Sequence, residues 1–141
     1  MQKRHEKIAN SDAKRYQTKT SQGIFLSSKA EKEIYKLLTF AKLPFECEKD
    51  FNESYPNSNK PFRFDFYVDN KYLIEYDGEQ HFKPIPKYGN EEGLKRQQWR
   101  DKYKDNWCKQ NNIPLIRIPY TKLSTLCIED LMLETTKFRV V

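Results

Sequence analysis

The chain is poor in several things, and each shortage excludes a class of protein. It has four glycines and no internal repeat, so it is not fibrous or solenoidal. Its three cysteines, Cys47, Cys108 and Cys127, are odd in number and widely spaced, which rules out a disulfide framework. With no CxxC and only His5 and His81 as histidines, it carries no zinc motif. No stretch approaches the roughly 18 consecutive apolar residues of a membrane span. The basic N-terminus has no apolar run behind it and does not read as a signal peptide. These features predict reduced thiols and a cytoplasmic protein.

What remains is 141 residues with 37% hydrophobic and 14% aromatic content, enough for one domain with its own core. The net charge of +6 is unevenly spread. Residues 1–22 carry six Lys/Arg against two acids, residues 23–82 eight against eleven, and residues 83–109 eight against four. An acidic centre between basic flanks suits a polyanion only if a cation sits in the centre. A purely solvated charge distribution is the alternative.

Residues 1–22 are polar and basic and read as a flexible arm, leaving 23–141 as the domain. Ser28 with Glu31 fits a capping box, and Ile34, Leu37, Leu38 and Ala41 form an apolar stripe that Pro44 ends. Residues 45–53 could form an edge strand, and YPNSNKP reads as a loop. FRFDFYV (62–68) and KYLIEYD (71–77) flank Asp69-Asn70 and predict a tight hairpin. A helix is expected over 91–111, with Trp99, Tyr103 and Trp107 on one face as core in preference to a base-stacking platform. IPLIRIPY (113–120) is expected as a buried strand and 125–136 as a last helix. The order is helix, three strands, helix, strand, helix, which predicts an α/β fold with a mixed sheet.

Alternation along the hairpin puts Phe62, Phe64, Phe66 and Val68 on one side and Arg63, Asp65 and Tyr67 on the other. It groups Leu73, Glu75 and Asp77 on one face of the partner strand. Asp65, Glu75 and Asp77 can therefore share a side of two paired strands. Crowded carboxylates repel, and a divalent cation such as Mg²⁺ relieves that repulsion. His81, four residues past Asp77 where the strand ends, is placed to move a proton. Each acid also has a bland reading: Asp65 as a partner of Arg63, Glu75 and Asp77 as cross-strand partners of lysines, Glu31 as a cap.

The stretch FRFDFYVDNKYLIEYDGEQHF followed by RDKYKDNWCKQNNIPLIRIPY resembles the PD-(D/E)xK nuclease superfamily. Within it, the likeness is to the very-short-patch-repair endonucleases and to phage homing endonucleases with an EDxHD motif. It covers about residues 27–120 and implies an αβββαβα restriction-endonuclease-like core, in a protein of a bacterial or phage-infected cell. Residue by residue it matches Glu31 to the leading Glu, Asp65 to the first metal-binding Asp and Glu75 to the second acid. It matches His81 to the histidine and Asp101 to the closing Asp. Asp77 stands where the parent motif has lysine, which leaves the general base open. The implied activity is DNA phosphodiester hydrolysis with Mg²⁺ or Mn²⁺ on Asp65, Glu75 and Asp77, cutting one strand per site, so that a homodimer would serve a double-strand break. Lys102, Lys104 and the arm residues Lys3, Arg4, Lys14 and Arg15 are the expected contacts to the nucleic-acid backbone. The competing expectations are a nuclease-like fold that binds nucleic acid without cutting it, and a protein-interaction module.

Overall fold

The computed structural model describes residues 18–19, 25–26, 28–56 and 58–141. Lys3, Arg4, Lys14 and Arg15 lie outside these residues. Thr18–Lys19 (β1) pairs antiparallel with Phe25–Leu26 (β2); the rest of the arm expected over residues 1–22 lies outside the described residues.

Helix α1 spans Lys29–Phe40. It starts where expected because the Ser28 hydroxyl accepts from the Glu31 amide at 3.0 Å and donates to the Glu31 carboxylate at 3.1 Å. Ala30, Ile34 and Leu38 are its buried residues, and each large one contributes on the order of 1.5–3 kcal/mol by leaving water.

Five strands form one mixed sheet in the order β3-β4-β5-β6-β7: Phe45–Ser54, Pro61–Val68, Tyr72–Asp77, Leu115–Pro119 and Arg139–Val140. The β4–β5 hairpin turns at Asp69 and Asn70, both with left-handed φ near 53°, and the Lys71 amide donates to the Val68 carbonyl. Asp and Asn tolerate that backbone, which is why the dipeptide marks the turn. β5 and β6 run parallel, from Leu73 opposite Leu115 to Asp77 opposite Pro119. A parallel pair needs a long crossover, and helix α2, Asn90–Gln110, supplies it. Gly89 enters that helix at φ 93°; a Cβ on Gly93 would meet the Tyr88 carbonyl oxygen at 1.6 Å. The two glycines thus belong to the helix entry.

The sheet is packed on both faces. Ile34, Leu38, Phe66, Val68, Ile74, Ile116, Ile118 and Leu131 form one core. Phe62, Phe64, Leu73, Cys108 and Leu115 form the other, with Phe51, Tyr103 and Trp107 against them. The expected common face for all four apolar residues of β4 is therefore corrected. Phe66 and Val68 pack on the α1 side, and Phe62 and Phe64 on the α2 side. The alternation breaks at Asp65.

The last helix expected over 125–136 is also corrected. Only 3₁₀ turns form there, Tyr120–Thr125 and Ile128–Leu131. After Leu131 the backbone is extended at Met132. The Thr135 hydroxyl donates to the Glu129 carbonyl and the Phe138 amide donates to the Thr136 hydroxyl, local bonds that compete with a helix. The chain then returns as β7, antiparallel to β6. No helix among the described residues is long and apolar enough to cross a membrane.

Candidate active site

Cα pairing of β4 with β5 is confined to Phe66–Ile74, Tyr67–Leu73 and Val68–Tyr72. Beyond it the two strands exchange side chains for backbone. The Asp65 amide donates to Glu75 Oε1 at 2.9 Å, and the Tyr76 amide donates to Asp65 Oδ2 at 2.8 Å. Two carboxylates thus occupy the gap where the ladder opens.

On the α1 side of that gap, oxygens of Glu31, Glu48 and Asp65 lie within 4.8 Å of one another. Glu48 sits at left-handed φ (52°) between the paired residues Cys47 and Lys49 of the edge strand. A non-glycine residue there is uncommon. Burial, then the nearby Glu75 and Glu31 carboxylates, push the Asp65 carboxyl well above its ordinary range against the pull of the Tyr76 amide and Lys104.

On the α2 side the acids meet cations. Lys104 Nζ donates to Glu75 Oε2 at 2.7 Å and to the Arg63 carbonyl at 2.6 Å. It lies 4.6 Å from the Phe64 ring centroid and is only 7% exposed. Burial opposes its charge, but Glu75 outweighs burial and raises its pKa. The expected role of Lys104 as a phosphate contact is therefore corrected: it is the buried partner of Glu75. Lys102, by contrast, is exposed on α2.

Arg117 of β6 donates through Nη1 to Asp77 at 2.7 Å, through Nε to Asp105 at 2.8 Å, and through Nη2 to the Asp101 carbonyl at 3.2 Å. Burial lifts the Asp77 carboxyl to about 6, even with Arg117 and His81 pulling it down. The Arg117 guanidinium is held above its ordinary value by Asp77 and Glu75, which overcome its burial.

His81 Nδ1 lies 2.7 Å from Asp101 Oδ2 and 3.5 Å from Asp77 Oδ1. Gln97 holds the other Asp101 oxygen at 3.0 Å. Burial works against the Asp101 charge, but the hydrogen bond and charge of His81, with Arg117 and Gln97, outweigh it and lower the carboxyl. Asp77, His81 and Asp101 also offer ligand atoms within 4.8 Å of one another.

All six residues singled out in the sequence fall along this one region, but Asp65, Glu75 and Asp77 do not converge as one ligand set. Asp65 joins Glu31 and Glu48. Asp77 joins His81 and Asp101. Glu75 lies between, bonded to the Asp65 amide and to Lys104. Sequence reasoning missed Arg117, Asp105 and Glu48. Arg117 could have been found, because a charge inside an apolar parallel strand demands a buried partner. Asp105, one turn beyond Asp101, was the natural candidate. Nothing in the sequence singles out Glu48, whose position follows from the backbone of β3.

No protein-family model and no solved structure matches the chain. Three viral proteins are similar to parts of it. The uncharacterized protein 307L of invertebrate iridescent virus 6 is 38% identical over 85 residues, covering 55% of this chain and 43% of that protein. The uncharacterized protein 094L of frog virus 3 is 35% identical over 69 residues, 47% of this chain and 44% of that one. The uncharacterized protein 033L of invertebrate iridescent virus 3 is 40% identical over 55 residues, 38% of this chain and 28% of that one. The chain spans less than half the length of each of these relatives.

Proposed function

We propose that this chain is a metal-dependent endonuclease that hydrolyses phosphodiester bonds of DNA. The observation that carries the reading is the Asp65 carboxylate at the opening between β4 and β5, grouped with Glu31 and Glu48 and bonded through its own amide to Glu75. The donor set fits Mg²⁺ or Mn²⁺, because it offers hard oxygen ligands, and burial, then repulsion from Glu75 and Glu31, disfavours ionised Asp65 until a cation sits there. Glu31, Glu48 and Asp65 would hold the ion, with Glu75 beside them. Bound there, a divalent cation supplies charge neutralisation at a phosphate.

The protein groups around it have separate tasks. A carboxylate only accepts, so Asp101 fixes the His81 proton on Nδ1 and leaves Nε2 with a free lone pair. His81 can then take a proton from an attacking water or, once charged, give one to the leaving oxygen. Asp77 and Gln97 hold this pair in place, and Arg117 neutralises Asp77. Lys104 carries a positive charge to Glu75 in a buried setting, where the charge acts at greater strength than on the surface. Exposed Lys102 remains the α2 candidate for the DNA backbone. One such site cuts one strand, so a double-strand break would need two copies or two binding events.

A second reading is favoured by the ion pairs themselves. Lys104 and Arg117 neutralise two of the acids expected to hold metal, as they would in a nuclease-like fold that binds nucleic acid without cutting it. Supercoiled plasmid incubated with Mg²⁺, with Mn²⁺ and with EDTA separates the two readings. Metal-dependent nicking that is lost in Asp65→Ala is the expected result. A folded wild-type protein that retards the plasmid and never cuts it would leave the binding module.

A further inference from the structure

Beside the acid site, α2 carries a second concentration of groups with a shared chemistry. Trp99 is 51% exposed. Its indole stacks on Tyr103, with centroids 5.6 Å apart and planes 19° apart. Tyr55, from the turn after β3, lies 6.1 Å from Trp99 and 5.7 Å from Tyr103, and the Arg100 guanidinium lies 5.7 Å from the Tyr55 centroid. Tyr55, Pro56, Ser58, Arg96, Trp99 and Arg100 line an open hollow of about 210 Å³. The described residues lining it include two arginines and no carboxylate. Trp107, from the same face of α2, packs into the core against Phe51 and Phe64. Half of Trp99 stays in water, so core packing alone does not account for an indole there.

The hollow and the acid site occupy adjoining strips of one helix. Arg100 precedes Asp101, whose carboxylate holds His81, and Tyr103 precedes Lys104, which holds Glu75. Successive helix positions are turned by about 100°, and Tyr55 of the hollow feels the charges of Lys104, Glu75 and Asp101 as well as Arg100, so the hollow borders the acid site. Bases inside a duplex are already stacked on one another and are not offered to a protein indole. An unpaired base is, and aromatic platforms flanked by arginine are how proteins hold single strands.

We propose that this hollow takes an unpaired base of a single nucleic-acid strand, stacked against Trp99, with Arg96 and Arg100 on its flanking phosphates. The proposal rests on the nucleic-acid part of the reading above but not on cleavage, and is tested in EDTA, where no metal-dependent cutting can occur. The chain has two tryptophans, so Trp107→Phe leaves Trp99 as the only indole, read with excitation beyond the tyrosine absorption. Titration of that variant with (dT)16 and with (rU)16 at about 50 mM salt is expected to quench its emission saturably, and duplex of equal length is not. Should Trp107→Phe fail to fold, the difference in emission between wild type and Trp99→Ala gives the same signal. Trp99→Ala should bind (dT)16 about tenfold more weakly, Trp99→Phe should retain most of the affinity, and Arg96→Ala should flatten the salt dependence by about 0.7 of a unit of slope. Quenching by both strands, or by one of them, supports the proposal, and the stronger arm identifies DNA or RNA. Unchanged affinity in a folded Trp99→Ala, or equal quenching by duplex, overturns it. Plasmid cutting without quenching would leave the nuclease standing and remove this site; quenching without cutting would do the reverse.

Discussion

Lys104 Nζ lies 2.7 Å from Glu75 Oε2, and both side chains are 9% exposed. Removing one member strands the other charge in the interior, a loss of about 3–5 kcal/mol, whereas replacing both by apolar groups is often neutral. Lys104→Met should therefore lower the unfolding free energy by that amount, measured by urea denaturation. The double variant Glu75→Leu with Lys104→Met should recover most of it. A Lys104→Met protein as stable as wild type would show that the pair does not hold this part of the fold. The recovered double variant should remain without nuclease activity, because both charges beside Asp65 are gone.

His81 and Asp101 give a prediction with a different signature. If His81 moves the proton, His81→Ala should slow single-turnover nicking at saturating Mg²⁺ by roughly 10²–10⁴-fold with little change in the metal concentration required. Asp101→Asn should slow it less, since an amide oxygen can still accept from Nδ1. Activity within a few-fold of wild type in both variants, joined to a lower melting temperature, would make the pair a structural contact.

The hairpin, the first helix and the crossover helix were legible because local chemistry specifies them: Ser28 caps, Asp69-Asn70 turns, and Trp99, Tyr103 and Trp107 recur on one helical face. That these acids gather in one region was legible too, since a carboxylate in an aromatic strand needs a partner. The partners were not legible. Alternation predicts that Asp65, Glu75 and Asp77 share a face, but it cannot show that β4 and β5 part after Phe66–Ile74 and that Asp65 pairs with the Tyr76 amide instead. Nor does spacing reveal that Lys104, drawn from α2, would be buried against Glu75. Those facts belong to the sheet's twist and to the crossover, and they redistribute one expected ligand set into two.

Glu31 serves both as part of a cap and as a neighbour of Asp65, and two substitutions separate these roles. Ser28→Ala removes the acceptor of the Glu31 amide and should cost about 1 kcal/mol of stability, read from thermal unfolding, with plasmid nicking at 25 °C unchanged. Glu31→Gln should keep the helix and weaken nicking, with more Mg²⁺ needed for half-maximal rate. The same small stability loss in both variants with full activity in both would confine Glu31 to the cap.

The last prediction concerns pH, and its sign follows from Asp77. Its carboxyl is lifted from 3.8 to about 6 because burial disfavours its charge. Below about pH 4 it is protonated folded or unfolded and has no effect on stability. Between about 4 and 6 the folded chain holds a proton that the unfolded chain has lost, so stability falls as pH rises through this window. Above it the full penalty applies, at most about 3 kcal/mol for a shift of this size. Asp65, also raised, adds in the same direction; Asp101, lowered, adds stability as pH rises from its own lower range. In EDTA the melting temperature should therefore decline from pH 5 to pH 7, and Asp77→Asn should decline less. An identical slope in the variant would remove Asp77 from the account. Mg²⁺ should raise the melting temperature with its concentration. It should do so less as pH falls, because Asp65, held well above its ordinary range by burial, takes up a proton that competes with the ion.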